Sequence, residues 1–348
     1  MTSSTVSIDV RNIEVAFKRK RRDPLFRALD DVSVHVRGGR TVGIVGESGS
    51  GKSTLAKAVL GLVPVRSGSI TVGGMDVTGG QGLDRKHLAA NLQAVFQDPT
   101  GSLNPSYTVG RSLAEPIRAQ GARAKDVDER VAHSLEMVGL DPSATHKLPR
   151  EFSGGQRQRI CIARALMTSP RFLICDEAVS ALDLSVQAQI LNLLMDLQEQ
   201  AGLAYLFISH DMNAVKKICH DVTVLYRGRT MESGPTETVT TTPAHPYTRA
   251  LLLAAPVADP VAQAARHASA HIVKGAATQV ASGSGEGCAF ADRCPFADTT
   301  CATETPQLRD VGGGVSVACH RYPDWTYEAQ DERVPALPAD RHRTAHSR

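Results

Sequence analysis

The run Gly46-Glu47-Ser48-Gly49-Ser50-Gly51-Lys52-Ser53 carries the plainest chemistry in the chain. It fits the spacing G-x-x-x-x-G-K-[ST]. Glycines there let the backbone curl until successive N–H groups point at phosphate oxygens. Lys52 is expected to reach the β- and γ-phosphates of a nucleotide and Ser53 to ligate Mg²⁺, with Thr54 next to it in the first helical turn. A second chemical feature is Phe172-Leu173-Ile174-Cys175 running into Asp176-Glu177. Carboxylates at the carboxyl end of a buried strand stand where ligands bind in a parallel sheet. Asp176 is expected to hold Mg²⁺ through a water, and Glu177 to polarise an attacking water as general base. Alone, an acidic pair after a strand is an ordinary loop start; beside a phosphate loop it gains a role.

Cysteine use is lopsided. Cys161, Cys175 and Cys219 lie scattered in apolar sequence and read as small core residues. Cys288, Cys294, Cys301 and Cys319 crowd the last fifth with the spacing C-x₅-C-x₆-C-x₁₇-C. This is not the two-residue gap of common zinc ribbons. Four thiolates can hold Zn²⁺ or a [4Fe–4S] cluster, and the wide gaps favour the cluster. Zinc and simple packing remain as alternatives, with His320 a substitute ligand or a bystander.

These residues need a scaffold, and the strand and helix patterns supply one. Val6–Phe17 and Val32–Val36 alternate like strands, with the basic block Lys18–Arg22 between them. That block is expected to be a solvated loop rather than a lipid or nucleic-acid contact. Thr41–Val45 is an unbroken apolar strand leading into the Gly-rich loop and a helix over Ser53–Leu62. Ser69–Val72, Arg171–Cys175, Ala204–Ile208 and Val222–Tyr226 read as further strands, and Ser185–Gln200 as an amphipathic helix. Helical spacing fills much of Val109–Leu140. Alternating strands and helices make the fold class α/β.

A chain of 348 residues has room for one large and one small domain. Lys+Arg 39 against Asp+Glu 36 leaves +3, too near balance for a protein whose work is neutralising a nucleic-acid backbone. The longest apolar run, around Ala250–Ala258, contains Pro256. A membrane-spanning helix needs about 20 apolar residues, so none is expected. Met1–Asp9 lacks the pattern of a secretory signal, which places the chain in the cytoplasm. After Pro256 the composition shifts: Ala258–Ala281 is Ala-rich, Ser282–Gly287 is a Gly/Ser linker, and Pro335–Arg348 has almost nothing to bury.

Phe152-Ser153-Gly154-Gly155-Gln156-Arg157-Gln158-Arg159 adds a second place for a phosphate. Ser153 is an N-cap, and two glycines bare the N-terminus of the helix that follows. Two such elements in one chain suit a nucleotide shared between two chains. The run resembles the signature of the ATP-binding cassette (ABC) ATPases, with Phe152 where that family commonly has Leu. The resemblance spans residues 6–235 and implies more roles. Gln97 would sense Mg²⁺ and the attacking water. Ser180-Ala181-Leu182-Asp183 would line the dimer seam, and His210 would contact the γ-phosphate. Ser153, Gly154, Gly155 and Gln156 would close over ATP held by a partner. Phe17 would stack on adenine, with Phe26 a rival and a place in an edge-strand core the alternative for Phe17.

Phe96-Gln97-Asp98-Pro99, Ser102-Leu103-Asn104-Pro105, His245-Pro246-Tyr247-Thr248-Arg249-Ala250-Leu251-Leu252 and Gly287-Cys288-Ala289-Phe290 with Arg293-Cys294-Pro295 are similar to the ATPase subunits of bacterial oligopeptide/dipeptide importers, a group that nickel importers join. The resemblance implies an ABC-type P-loop ATPase: a RecA-like core, an antiparallel β subdomain, a helical subdomain at about 100–165, and a small Cys-containing C-terminal extension. The cassette would occupy 6–256, the extension 257–330 and a disordered tail 331–348. It also implies ATP and Mg²⁺, and a second ATPase subunit, related or identical. Two transmembrane permease subunits and, indirectly, an extracytoplasmic solute-binding protein would complete the system, with the chain peripheral on the cytoplasmic face of the membrane. Its rivals are a soluble cassette acting on DNA or ribosomes, and a regulatory cassette that hardly hydrolyses. No coiled coil, zinc hook or second cassette supports the first, and Glu177, Gln97 and His210 speak against the second.

Overall fold

A computed structural model describes residues 7–18, 25–79, 83–255 and 287–328. The N-terminal hexapeptide, most of the basic block 18–22, the Ala-rich segment, its Gly/Ser linker up to residue 286 and the tail lie outside the described residues. The chain divides into two compact units, Met1–Thr236 and Glu237–Arg348. This division falls ahead of the composition shift at Pro256.

The first unit opens with β1 (Ser7–Lys18) and β2 (Leu25–Arg37), followed by β3 (Thr41–Val45) and α1 (Lys52–Val59). β4 (Ser67–Val72), β5 (Met75–Asp76), α2 (Arg85–Asn91) and β6 (Leu92–Phe96) come next. A helical lobe contains α3 (Pro99–Ser102), α4 (Val109–Ala119), α5 (Ala124–Met137) and α6 (Gly154–Leu166). The chain then returns through β7 (Phe172–Asp176), α7 (Leu184–Ala201), β8 (Ala204–Ser209), α8 (Met212–Ile218), β9 (Asp221–Tyr226) and β10 (Arg229–Pro235).

One sheet is antiparallel, in the order β2-β1-β4-β5. The other runs β10-β9-β3-β8-β7-β6 within this unit. Its strands β9, β3, β8, β7 and β6 are parallel, and only β10 turns back. Every residue of β3 and β8 is buried, as expected of strands covered on both faces. Ile44, Leu206 and Ile208 share one core with Leu55 and Val59 of α1 and with Ile8, Val34 and Ile70 of the antiparallel sheet. The antiparallel lobe is therefore packed on the α1 side of the central sheet.

The parallel arrangement does the positioning. It brings the carboxyl ends of β3, β6, β7 and β8 to one edge, with Val45 opposite Ser209, Phe96 opposite Asp176 and Asp176 opposite Ile208. Four distant stretches of sequence thereby meet.

The helical lobe is held by arginines of α6. Arg157 Nε donates to the Pro149 carbonyl at 2.9 Å, Arg159 Nη1 to Val138 O at 2.6 Å, and Arg164 Nη1 to Ser102 O at 2.5 Å. Val109, Leu113 and Ile117 of α4 and Val131 and Leu135 of α5 are buried in the lobe.

The second unit contains α9 (Thr236–Thr241, beginning at the boundary residue) and α10 (Pro246–Ala254). It also has short helices at Thr299–Thr303 and Asp324–Glu328 and an antiparallel pair, Arg309–Asp310 with Ser316–Val317. Ala244, Val315, Val317, Cys319 and Trp325 form its core. Trp325 Nε1 donates to Ala244 O at 2.9 Å, and the rings of Tyr247 and Phe290 lie 5.3 Å apart. The segment that opens α10 and the segment that carries the cysteines thus form one module. Among the described residues no helix is long and apolar enough to cross a membrane.

Candidate active site

The phosphate loop follows directly from β3. Gly46 has φ 154°, and a Cβ there would lie 2.2 Å from Leu225 O. Gly51 caps α1 with φ 108°, and a Cβ there would lie 2.7 Å from Ala28 O. Neither position admits a side chain. Its N-cap, Gly51, has no side chain to cap α1, so the first-turn N–H groups present their partial positive charge to the loop. The Lys52 Nζ reaches back to Gly46 O at 2.7 Å and Glu47 O at 2.9 Å. Burial lowers its pKa, and the nearby Glu177, Asp176 and Glu47 carboxylates counter that. The buried Ser50 hydroxyl has no hydrogen-bond partner among the described residues, which suits a group meant for a ligand. Ser48 and Gly49 form the exposed crest of the loop, and Thr54 is half-buried in α1.

The loop is braced from the far side by the turn Arg227-Gly228-Arg229. Gly228 N–H donates to Ser50 O at 2.9 Å, and its carbonyl accepts from Asp30 N–H at 2.8 Å. Arg229 holds the Asp30 carboxylate through Nε at 2.9 Å and Nη2 at 2.6 Å.

Ser53 Oγ donates to Asp176 Oδ1 at 3.3 Å. A hydroxyl and a carboxylate facing each other beside the phosphate loop fit Mg²⁺, a hard cation that takes oxygen ligands. Burial raises the pKa of Asp176, while the Ser53 hydroxyl works the other way. Glu177 has a left-handed backbone, φ 50°. Its N–H donates to Ile208 O at 2.9 Å, and its carbonyl accepts from Ser180 N at 3.1 Å and Ser180 Oγ at 3.0 Å. Such a conformation is costly for a residue with a Cβ and persists only when its surroundings fix it. The Glu177 carboxylate faces His210 Nδ1 at 3.5 Å. Gln97 is exposed and follows Phe96, the register partner of Asp176.

The remaining expected residues are placed around this cluster. Asp183 caps α7 by accepting Val186 N–H at 2.9 Å and Ser185 Oγ at 2.7 Å. The Ser185 hydroxyl bond, then the Val186 amide, lowers its pKa. Ser153 caps α6 in a capping box: it accepts Gln156 N–H at 3.3 Å, and Gln156 Oε1 accepts Ser153 N–H at 3.0 Å. Gly154 and Gly155 follow in the first turn, and a Cβ on Gly155 would lie 2.4 Å from Val186 Cγ1 of α7. Phe152 is buried. Phe17 and Phe26 pair across β1 and β2 and stand 37% and 46% exposed, an apolar surface on the antiparallel lobe. Phe17 is therefore no core residue. Gln187, which has no signal in the one-dimensional pattern, joins α7 to Asp211 at 3.0 Å.

Cys161, Cys175 and Cys219 are buried, and burial pushes the Cys161 thiol up to about 11 and the Cys175 thiol up to about 12. In the second unit, Cys288, Cys294, Cys301 and Cys319 interact electrostatically in every pairing. Burial first, then these neighbours, push Cys294 and Cys319 up to about 12. Yet among the described residues no group of three or more His, Cys, Asp or Glu side chains is placed to hold a metal ion. The four sulfurs are neighbours without forming a finished cage.

Comparison with known proteins agrees with the geometry. The profile described as ABC transporter matches residues 29–180, and that described as oligopeptide/dipeptide transporter, C-terminal region, matches residues 231–301. A Brucella abortus (strain 2308) protein named as a peptide import ATP-binding protein is 45% identical over 315 residues, covering 90% of this chain and 92% of its own. Among solved structures, cbiO1 of Clostridium perfringens, part of the ABC transporter complex cbiONQ, superposes with a TM-score of 0.61 at 25% identity over 69% of this chain and 92% of its own. The dimeric ATP-binding cassette MJ0796, bound to ADP and Pi after hydrolysis, gives 0.58 at 25% identity over 66% of this chain and 98% of its own.

Proposed function

We propose a mechanism on the premise that this chain belongs to the ABC transporter family, among the ATP-binding subunits of peptide importers. It is an ATPase that powers an importer of oligopeptides or dipeptides. The single observation carrying the mechanism is the convergence of Lys52, Ser53, Asp176, Glu177 and His210 at one edge of the parallel sheet.

ATP lies with its phosphates in the 46–53 loop, its adenine against Phe17. Loop N–H groups, the α1 N-terminus and Lys52 absorb phosphate charge. Ser53 and Asp176, with Gln97, would hold Mg²⁺, which neutralises charge on the phosphates when bound. Glu177 accepts a proton from the attacking water, and His210 and Gln97 orient the water and the γ-phosphate. Ser153, Gly154, Gly155 and Gln156 of a second cassette close the site from the other side, with Asp183 at the seam. The second cassette is a related chain or a copy. Two permease subunits receive the motion through the segment after Gln97, and a solute-binding protein delivers cargo to them. The subunit then sits on the cytoplasmic face of the membrane, where ATP is supplied.

The direct test is phosphate release by the purified chain, followed by ATP-driven uptake of a labelled dipeptide in liposomes carrying the cognate permeases. Release without uptake keeps the ATPase and removes the transport role; Ni²⁺ uptake in place of peptide changes the cargo.

In the second unit, Cys288, Cys294, Cys301 and Cys319 are a donor set of the right chemistry for a thiophilic centre, an iron–sulfur cluster in preference to zinc. Their proximity to one another is what either kind of centre requires. Such a centre would be structural, since the hydrolytic residues belong to the other unit. An anaerobic preparation with about four irons per chain and broad visible absorbance is expected. Stoichiometric zinc would replace the cluster, and no metal at all would leave four packing thiols.

A further inference from the structure

Helix α7 begins at the seam loop, and its Gln187 reaches the turn that carries His210. Gln187 is half-buried one turn past Asp183 and donates its Nε2 to Asp211 Oδ2 at 3.0 Å. The other carboxylate oxygen, Oδ1, accepts Asn213 N–H at 2.8 Å and caps α8. Asp211 N–H is held in turn by Ser209 Oγ at 3.0 Å. Asp211 is thus pinned to its own helix, to β8 and, through Gln187, to α7.

His210 lies between Ser209 and Asp211, and its side chain is 56% exposed. An imidazole with so little packing around it is aimed by its backbone. The direction of that backbone is fixed by the turn 209–211. Around the site the contacts close a ring: Glu177 to Ser180, the seam loop to Asp183, α7 to Gln187, Gln187 to Asp211, and His210 back to Glu177.

We propose that Gln187 is a positioning residue for hydrolysis: its amide ties Asp211 to α7 and so presents His210 to Glu177 and to the γ-phosphate. The proposal rests on the ATPase reading above. A neutral donor suits the place. A carboxylate would repel Asp211, whereas a lysine would keep the link by charge. Through this amide, a shift of the seam loop reaches His210 without passing through the nucleotide.

The test is steady-state ATP hydrolysis by the full chain, with ATP binding and melting temperature measured separately. Gln187→Leu is expected to lower kcat about tenfold while KM and the Kd for ATP stay within about twofold. Gln187→Glu, similar in shape, is expected to lower kcat as far with an unchanged melting temperature. Gln187→Lys recovers most of the rate. Gln187→Leu added to His210→Ala brings no further loss, because both act through one group. An unchanged kcat in Gln187→Leu, a Lys variant no better than Leu, or a full additional loss on top of His210→Ala overturns the proposal. A wild-type chain that releases no phosphate overturns the ATPase reading instead, so the two failures are distinguishable.

Discussion

Nδ1 of His210 lies 3.5 Å from Oε2 of Glu177, and the two residues arrive from the adjacent parallel strands β8 and β7. The side chains meet because Asp176 stands opposite Ile208 in the register, and Glu177 then donates its N–H to that same Ile208 carbonyl. A backbone bond sets the frame, and the side-chain contact follows.

Glu177→Gln keeps the size of the side chain and the backbone bonds but removes its basicity. ATP affinity should hold within about twofold, while turnover falls on the order of a thousandfold. Phosphate release and nucleotide binding measured on one preparation check this, and ordinary turnover would strip Glu177 of its role.

Lys52→Ala removes the cation of the loop. ATP affinity is expected to drop at least tenfold, roughly the worth of one charge-assisted phosphate contact. The melting temperature of the apo chain is measured alongside, because Gly46 O and Glu47 O lose their donor while the desolvation cost of the ammonium also disappears. Calorimetry supplies both numbers. Full affinity would place the phosphates elsewhere.

Gly155→Ala sets a methyl against Val186 Cγ1, a stiff β-branched neighbour, at 2.4 Å. α6 must then shift off α7. ATP-dependent dimerisation should weaken about tenfold by size-exclusion or light scattering, a cost of about 1–2 kcal/mol for overpacking. Val186→Ala in the same chain opens the space and should restore dimerisation. A double variant no better than the single one would show that the glycine serves something other than this contact.

His245 predicts a pH dependence in the second unit. The imidazole is fully buried, accepts Tyr247 N–H on Nδ1 at 3.0 Å, and also bonds to the Ala318 backbone. Burial lowers its pKa to about 3. Between that value and about 6.5 the unfolded chain binds the extra proton and the folded chain does not, so stability rises with pH across the window. The contribution is whole above pH 6.5 and erodes on acidification, by roughly 3 kcal/mol at pH 4. His245→Asn keeps an N-cap acceptor and should flatten the profile between pH 4 and 7. Hydrogen exchange at α10 reads it directly, and a slope unchanged by the substitution would assign it to another group.

The types of the site residues were legible in the sequence because the chemistry restricts them: a Gly-Lys-Ser loop, two acids after an apolar strand, a histidine after another. Thr41–Val45 was legible as a strand for a similar reason, a wholly buried run ended by a glycine. β2 starts seven residues before the alternation at Val32 because Leu25–Asp31 is mostly exposed and paired with register shifts, which erase a period of two. β6 escaped notice: it is an edge strand in which only Leu92 and Val95 are buried. The Lys52 bonds to loop carbonyls and the Gln187–Asp211 bond depend on which strands are neighbours. No local pattern encodes that order. Gln187 and Asp211 lie 24 residues apart and meet only because α7 packs beside β8.

The arginine straps of α6 decide how force travels. Arg164 grips Ser102 O at 2.5 Å and Arg157 reaches Thr100 at 3.4 Å, both in the short helix just past Gln97. The same helix α6 begins at Ser153. A displacement of residues 99–102 would therefore be carried along α6 toward the glycine pair at its other end. Cutting the Arg164 strap would leave each part intact and turn a rigid lever into a loose hinge.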